Sequence, residues 1–465
     1  MLPLAQRYRA FLDAVFSGLA ESSLAGWPEA LPELDLQSLW FAGEFGTEFT
    51  TTDGRRVLIR DFGVWNHSAG PDFTGCALQC DDKILRGDIE LDPDVRDWER
   101  HGHGANAAYE NVVLHLFCDA PENAQFFTRT ADHREIVQVQ LRADMLPSGA
   151  KPHHQAEARL GRCAVPLAEM PEANVVSLLE SAAQYRLQRK AEKLQGIIRI
   201  HGREQAVYQA LANALGYRNN QRPLTVLAQR FPLRELLKKD ALHREALLFG
   251  CAGFLDTVKF EDTEKDTREY LRTLWSEWWK VRAGYVHWFD APQRLQWIIA
   301  GARPGNHPQR RLGALSATLR EWKRVMAPLQ SAAAWNRETF TGTLIELEHD
   351  YWSLHYTLLS AQSDKPLALI GETRAQEILA NVCYPLLVPE SALLWSEYKL
   401  LPSMLDNQKV RRAALRLFGE SPRAAKMQKR LFHQQGLMQI YEDYCLQDDS
   451  ACADCPFPER LKEWG

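Results

Sequence analysis

Two kinds of hydrophobic pattern follow each other along the chain. Over residues 1–150, apolar and polar residues alternate in short segments typical of strands, and residues 1–24 and 34–45 have helical spacing. Asp81-Asp82 separates two of these segments and suits a tight hairpin. The predicted strands are RRVLIRDFGVW, FTGCALQCD, KILRGDIELD, NVVLHLFCDA and EIVQVQLRA. This pattern predicts a mixed α/β domain.

From about residue 171 onward, apolar residues recur at helical spacing, as in DTREYLRTLWSEWWKVR. The intervening segment 146–162 is rich in Gly, Pro and His and is the predicted domain boundary. No fixed-period repeat is present, which excludes a regular solenoid. We therefore expect an α+β protein in which a mixed-sheet α/β domain over residues 1–150 precedes a mostly α-helical domain over residues 171–465.

The composition, 45% hydrophobic and 25% charged, is ordinary for a globular protein. The net charge of -5 excludes an overall basic surface, so a nucleic-acid partner would need a local basic patch. No apolar run reaches the about 18 residues of a membrane helix, and the N-terminal segment lacks a signal-peptide pattern. We expect a cytoplasmic protein without a membrane partner, whose nine cysteines form no structural disulfides.

Local basic patches lie in the predicted helical region. Residues 409–430 contain eight Lys and Arg against one Glu, and residues 186–203 are also basic. Candidate contacts to nucleic-acid phosphates are Arg411 and Arg412 in the first patch and Arg310 and Arg311 in ARPGNHPQRRL. A solvated helix face is the alternative interpretation of such charge runs.

Acidic residues concentrate on the predicted hairpin. Asp72 follows Gly-Pro and opens one strand, while Asp88, Glu90 and Asp92 alternate on the next strand and so face one side. The hairpin would bring Asp72 to the same sheet edge as the end of GDIELD. Burying unpaired carboxylates together is costly, and a divalent cation such as Mg²⁺ would remove that cost. The alternative is a solvated outer face of the sheet.

Histidines follow this acidic strand closely. His101 and His103 form a His-x-His pair, which puts two rings on one side of an extended segment, and His115 lies in the next predicted strand. Such a group can supply a general base, a phosphate contact or a metal ligand. The alternative is a loop stabilised by hydrogen bonds between histidines and carboxylates.

The segments PD at 71–72 and ELD at 90–92 resemble the motif of the PD-(D/E)xK nuclease superfamily. The resemblance implies a restriction-endonuclease-like αβββαβ core in which Asp72 and Glu90 bind Mg²⁺ or Mn²⁺. It also implies an upstream helical acid, for which Glu44 and Glu48 are the candidates.

The chain departs from that motif at Asp92, which stands where the superfamily has Lys. The resemblance therefore allows an active nuclease or a degenerate relative that only binds nucleic acid. In an active enzyme, His101 and His103 would replace the Lys by donating to the scissile phosphate.

A second resemblance extends over most of the chain. It is carried by GVWNHSAGPDF, GDIEL, DWERHGH, AYENVVLHL, EALLFGCAGFL and ARPGNHPQRRL, which together resemble an uncharacterised bacterial family, DUF2851. It implies that the two domains belong together and supplies no reaction.

Three cysteines near the C-terminus have the spacing Cys445-x6-Cys452-x2-Cys455, and a Cys-x2-Cys pair can present two thiolates to one metal. Cys383 is the nearest other cysteine and the candidate fourth ligand. The spacing resembles part of the [4Fe-4S] loop of helix-hairpin-helix DNA glycosylases, and Zn²⁺ is the alternative. The remaining alternative is three unpaired thiols in a frayed tail.

The predicted function is therefore a divalent-metal-dependent nuclease or a degenerate nucleic-acid-binding relative. One alternative is a non-catalytic scaffold or interaction protein with a structural metal site. Another is a metal hydrolase that acts on a small substrate through His101, His103 and His115.

Overall fold

The computed structural model describes most of the chain, namely residues 3–16, 33–66, 70–121, 126–146, 159–256, 263–290, 293–299, 302–403, 408–445, 452–453 and 455–464. Most of the predicted boundary segment 146–162 therefore lies outside the described residues. The helix predicted over residues 1–24 is observed over Pro3–Phe16, and the rest of that prediction lies outside the described residues. Every helix in the described residues is too short or too polar to cross a bilayer.

The strands of the described residues form one mixed sheet, as the N-terminal pattern predicted. Its strand order is β1-β2-β4-β5-β6-β7, with β3 paired to β4, and the β5-β6 and β6-β7 pairs are parallel while the others are antiparallel. The strands are β1 Glu48–Thr50, β2 Arg56–Asp61, β3 Val64–Trp65, β4 Phe73–Cys80, β5 Lys83–Asp94, β6 Val112–Asp119 and β7 Val137–Gln140.

Strands β4 and β5 form the predicted hairpin. Cys80 pairs with Lys83 across a two-residue turn at Asp81-Asp82, as alternating strands around two turn-forming residues require. The ladder shifts register near Gly75, whose φ of 70° suits a bulge, and the Asp88 carboxylate accepts a hydrogen bond from the Gly75 N–H at 3.1 Å. The hairpin thereby pairs Phe73 with Ile89 and brings the start of β4 beside the middle of β5.

The parallel strands β5 and β6 require a crossover connection, which residues 95–111 supply. It contains helix α3 (Asp97–Arg100) and then a 3₁₀ turn over His103–Ala105. Gly102 has a φ of 74°, which lets the chain turn between His101 and His103. The crossover therefore returns both histidines towards the end of β5.

Helices flank the sheet and make up most of the regular structure in the rest of the described chain. Helix α1 (Pro3–Phe16) and helix α2 (Glu33–Phe41) precede the sheet. The later helices are α4 Ala164–Glu169, α5 Glu172–His201, α6 Arg203–Leu215, α7 Tyr217–Arg230, α8 Leu233–Leu236, α9 Ala241–Cys251, α10 Lys265–Val281, α11 Pro308–Arg320, α12 Trp322–Met326, α13 Arg337–Ile345, α14 Glu372–Ile378, α15 Tyr384–Leu387, α16 Leu393–Leu400, α17 Gln408–Phe418, α18 Pro422–Lys426, α19 Leu431–Ile440 and α20 Phe457–Arg460.

Two large hydrophobic cores organise these elements. The first core is continuous from the sheet through α2 into the helices between α6 and α16. The second core joins α1, α4, the start of α5 and the elements from α17 to the C-terminal segment. Helix α5 is 30 residues long and contributes to both cores, while α1 packs on α5 and α20. The N-terminal helix also contributes to both cores, with Ala5 in the first and Tyr8 and Leu12 in the second.

Candidate metal site

The hairpin brings two of the predicted acids into contact through backbone hydrogen bonds. The N–H of Asp72 donates to Glu90 Oε2 at 2.9 Å, and the N–H of Leu91 donates to Asp72 Oδ2 at 3.0 Å. Glu90 is only 5% exposed. The two carboxylates are therefore fixed by the backbone of the opposite strand, which holds each close to the other.

Helix α2 adds a third acid that the sequence did not single out. Gln37, fully buried, donates from Nε2 to Asp72 Oδ1 at 2.6 Å and to Glu33 Oε1 at 3.0 Å. Glu33 lies in the first turn of α2, one helical turn before Gln37, so both side chains lie on the same helix face. The available signal was the segment ELDLQ, in which an acid and an amide are spaced four residues apart.

The structure separates Glu44 and Glu48 from this group. Glu48 is exposed on the edge strand β1, with β2 between it and β4, and forms an ion pair with Arg56 at 2.5 Å. Glu44 follows α2 and forms an ion pair with Lys193 at 2.5 Å. The predicted role of Glu48 as a metal ligand beside Asp72 does not fit this placement.

Three histidines surround Asp92, which is only 2% exposed. His115 Nε2 lies 3.1 Å from Asp92 Oδ2, His103 Nδ1 lies 3.8 Å from the same oxygen, and His101 Nδ1 lies 3.5 Å from Asp92 Oδ1. One ligand atom each of Asp92, His101 and His103 lie within 4.8 Å of one another. This spacing allows the three side chains to bind a single metal ion.

His103 connects the two groups of acids. Its Nδ1 lies 3.4 Å from Glu90 Oε1, is buried and has no hydrogen-bond partner among the described residues. The ring stacks on Tyr109 with centroids 4.1 Å apart. Burial lowers the pKa of His103 to about 4. The ring is therefore neutral near pH 7 and can offer a nitrogen lone pair to a cation.

His115 is held by a chain of hydrogen bonds that reaches β7. Gln138 Nε2 donates to Thr128 Oγ1 at 2.7 Å, and Thr128 Oγ1 lies 2.7 Å from His115 Nδ1. On the other side of the ring, His115 Nε2 lies 3.1 Å from Asp92 Oδ2. Contacts at both nitrogens fix the orientation of the His115 ring beside Asp92.

Burial and repulsion among the acids raise their pKa values. Burial is the largest cause for Asp72, Glu90 and Glu33, and neighbouring carboxylates add to it. The pKa of Glu33 rises to about 7, and those of Asp72 and Glu90 rise well above the ordinary range. A bound cation would favour the ionised forms and so reverse these shifts.

Arg310 and Arg311 are buried, which corrects their prediction as nucleic-acid contacts. Arg310 donates to the carbonyl oxygens of Trp352, His355, Leu367 and Ala368, and Arg311 donates to that of Leu369 at 2.8 Å. Both guanidinium groups are used to hold the segment 352–369.

Arg411 and Arg412 lie on helix α17, where Arg411 is exposed and Arg412 is half-buried beside the Tyr441 hydroxyl. Both residues lie on a helix surface, and their role as phosphate contacts remains a prediction.

The structure divides the four predicted cysteine ligands between the two cores. Cys383 is fully buried in the first core. Cys445 and Cys455 lie in the second core, and Cys452 packs against it. Cys383 is therefore not the partner of the three C-terminal cysteines, and the choice of the nearest cysteine in sequence was wrong.

Comparisons with known proteins give one result. A family model described as "Protein of unknown function (DUF2851)" matches residues 33–397. The matched range contains α2, the whole sheet and all of the acids and histidines that this site brings together. A search of curated proteins and a search of solved structures found no match.

Proposed function

The chain belongs to the DUF2851 family, and on that premise we propose that it is a nuclease that hydrolyses phosphodiester bonds with a divalent cation, Mg²⁺ or Mn²⁺. The proposal rests on the chemistry of the acid–histidine group. That group comprises Glu33, Asp72, Glu90, Asp92, His101, His103 and His115.

One observation carries the proposal. His103 Nδ1 is buried without a partner among the described residues, 3.4 Å from Glu90 and 3.8 Å from Asp92. Leaving a buried nitrogen without a partner beside two buried carboxylates is costly, and a cation between the three groups would bind the nitrogen and offset the charge of the acids. The donor set of carboxylate oxygens and imidazole nitrogens therefore fits a divalent metal.

The residues divide into two chemical roles. Asp72, Glu90 and Asp92 offer oxygen ligands, which Mg²⁺ and Mn²⁺ prefer. A metal bound there would lower the pKa of an attacking water and stabilise charge on the phosphate. His101 is 45% exposed and lies 3.5 Å from Asp92 Oδ1, so it can reach a bound substrate. It would give a proton to the leaving oxygen as the bond between phosphorus and that oxygen breaks.

The order of the elements supports a polynucleotide substrate. Helix α2, strands β2, β4 and β5, helix α3 and strand β6 follow the αβββαβ order that the PD-(D/E)xK resemblance implies, with β1 and β3 as additions. Glu33 lies on the helix before the strands, where the resemblance implies an upstream acid. His101, which is half-exposed beside Asp92, would supply in its protonated form the positive charge that the missing Lys provides in the superfamily.

Cleavage assays with paired variants test the proposal. The full chain is incubated with DNA and RNA in Mg²⁺ or Mn²⁺, and Mn²⁺ binding is measured by calorimetry. We expect Asp72→Asn combined with Glu90→Gln to lower cleavage by at least about a hundredfold and to weaken Mn²⁺ binding. Asp88→Asn is the matched control, because Asp88 lies on the same strand but bonds to Gly75 instead. Equal cleavage by the double variant and the parent would overturn the assignment.

A second candidate function has its own supporting observation. The spacing of Asp92, His101 and His103 also suits a zinc ion with two nitrogen ligands and one oxygen ligand, as in hydrolases of small substrates. Tight Zn²⁺ binding that His101→Ala abolishes, without any affinity for DNA or RNA, would favour this function. Salt-sensitive DNA binding without cleavage would instead indicate a degenerate relative of the nucleases.

A further inference from the structure

A buried arginine in helix α17 contacts cysteine thiols from distant parts of the chain. Arg416 is 2% exposed, and its Nη2 donates to Cys452 Sγ at 2.5 Å. The same guanidinium hydrogen-bonds the Cys445 thiol. The carbonyl oxygen of Arg416 lies 3.8 Å from the Sγ of Cys163, which directly precedes α4. One residue therefore gathers three thiols in the second core.

The neighbouring Arg162 holds the Cys-x2-Cys turn against the same place. Its Nη1 donates to the carbonyl oxygens of Cys452 at 2.9 Å and Ala453 at 2.6 Å, and its Nη2 donates to Glu459 Oε1 at 2.6 Å. Cys452 has a φ of 80°, a strained conformation for a residue with a side chain. The contacts of Arg162 thus fasten a strained turn of the C-terminal segment beside Cys163.

All four cysteines lie in or against the second core. Cys163, Cys445 and Cys455 are buried in the second core at 6%, 8% and 9% exposure, and Cys452 packs against that core. Burial raises the pKa of the Cys163 thiol, and the thiols of Cys445, Cys455 and Cys452 raise it further. Four thiols from two ends of the helical region therefore lie near one another.

We propose that Cys163, Cys445, Cys452 and Cys455 bind an iron–sulfur cluster that fastens the C-terminal segment to α4 and α17. Four thiolates are the ligand set that such clusters prefer. The Arg416 guanidinium donates towards the sulfurs and offsets the negative charge that thiolates bring into a buried site. This proposal is independent of the nuclease function, because its ligands lie in the other core.

The spacing of the thiols favours a cluster over one zinc ion. Sulfurs bound to a single tetrahedral zinc at about 2.3 Å lie about 3.8 Å apart. No three of these sulfurs lie within 4.8 Å of one another in the described part of the chain. A cluster places several atoms between its cysteine ligands and so accepts larger separations.

Chemical analysis of the full chain, purified without oxygen, tests the proposal. We expect a brown protein with about four iron atoms and an equal amount of acid-labile sulfide per chain. Sulfide is the deciding readout, since iron bound at Asp92, His101 and His103 would bring none. One zinc per chain without sulfide would overturn the cluster, and the absence of both metals would overturn the whole site.

Variants identify the fourth ligand. We expect Cys163→Ser and Cys455→Ser each to lose most of the iron and sulfide. Cys383→Ser is the matched control, since Cys383 is equally buried but lies in the first core, and it should keep the cluster. Loss of the cluster in Cys383→Ser with retention in Cys163→Ser would refute the assignment.

A second measurement needs no variant and so avoids failure to fold. In the unaltered protein, iodoacetamide should modify Cys163, Cys445, Cys452 and Cys455 only after the cluster is removed by chelation. Peptide mass spectrometry reads the modified positions. Equal modification of the four thiols before and after chelation would contradict the proposal.

Discussion

At the scale of single residues, the orientation of side chains in the candidate site depends on groups that are not themselves candidate ligands. Asp92 receives a hydrogen bond from His115, whose other nitrogen is held by Thr128, which Gln138 holds in turn. Such supporting hydrogen bonds orient ligands and commonly change metal affinity by about 10- to 100-fold. Nothing in the residue pattern pointed to Thr128, because it reaches the site from a loop through a hydrogen bond.

Thr128→Val removes this hydroxyl while keeping the side-chain shape. We expect Mn²⁺ affinity to fall by about tenfold, because the His115 ring loses the hydrogen bond that orients it beside Asp92. The nearby Thr130 is the control: both residues are 3% exposed, but the Thr130 hydroxyl has no hydrogen-bond partner in the described part of the structure. Thr130→Val should leave Mn²⁺ affinity unchanged in the same calorimetric titration. Equal effects of the two variants would show that Thr128 has only a packing role.

The burial of His433 on helix α19 should make the protein less stable at acidic pH. It is 8% exposed, neither ring nitrogen has a hydrogen-bond partner among the described residues, and burial lowers its pKa to about 4. Above pH 6.5 the ring is neutral in both the folded and unfolded states. As the pH falls towards 4, the unfolded chain takes up a proton that the folded chain refuses, so the free energy of unfolding drops by up to about 3 kcal/mol.

His433→Leu removes this proton uptake and should flatten the loss of stability between pH 6.5 and pH 4 in urea unfolding. The exposed His133 provides the control, and His133→Asn should keep the slope of the parent protein. An unchanged slope in His433→Leu would mean that other groups cause the acid sensitivity.

The site residues that were not predicted from the sequence were missed for one physical reason, namely that their role depends on contacts between distant segments. Glu33 opens α2, but the linear pattern does not tell which face of a helix lies on a sheet, so Glu44 and Glu48 were equally plausible. Cys163 lies near Cys445 only because α17 and the C-terminal segment fold back on α4. Cys383 was predicted as the fourth ligand because it is the nearest other cysteine in sequence. Distance along the sequence does not reveal contacts between distant segments.

At the scale of elements, the hairpin of β4 and β5 was predictable and the approach of the helices to it was not. The alternation of apolar and polar residues, together with the turn residues Asp81-Asp82, specifies to within one position which residues of β4 and β5 pair. Because a shift of one residue would turn Asp72 away from Glu90, the register Phe73 to Ile89 decides whether the two acids meet. The orientation of α2 depends instead on packing with α7 and β5, which leaves no local signal.

The contact of α5 with α19 shows how a glycine sets the distance between elements. A Cβ atom at Gly436 would lie 2.3 Å from the carbonyl oxygen of Leu179 in α5. We expect Gly436→Ala to force the two helices apart and to lower the free energy of unfolding by about 1–3 kcal/mol. Urea unfolding of the purified variant measures this change.

Gly196 is the matched control. It lies on the partner helix α5, and a Cβ atom there would meet no atom within 4 Å. Gly196→Ala should raise stability by up to about 1 kcal/mol, as alanine favours helix over glycine. A loss of stability in both variants would contradict the close-packing explanation for Gly436.

At the scale of the whole molecule, the two proposed metal sites belong to different cores. The acid–histidine group is built from the sheet, α2 and the β5–β6 crossover, beside the first core and the small cluster of Trp98 and Tyr109, and the four cysteines lie in or against the second core. The family match over residues 33–397 contains the first group entirely but only one of the four cysteines, Cys163. Helices α1, α5 and α19 each contribute residues to both cores and so connect them.

This arrangement predicts that each metal protects its own core. Mn²⁺ at a hundredfold excess over its Kd stabilises the state that binds it by about 2.7 kcal/mol. Because amide protons exchange through local openings, Mn²⁺ should slow exchange in β4 and β5 while leaving α17 unchanged. Removal of the cluster should speed exchange in α4 and α17 and leave β5 unchanged. Hydrogen exchange followed by mass spectrometry measures both changes. Equal changes in both cores would contradict this prediction and show that the molecule opens as one cooperative unit.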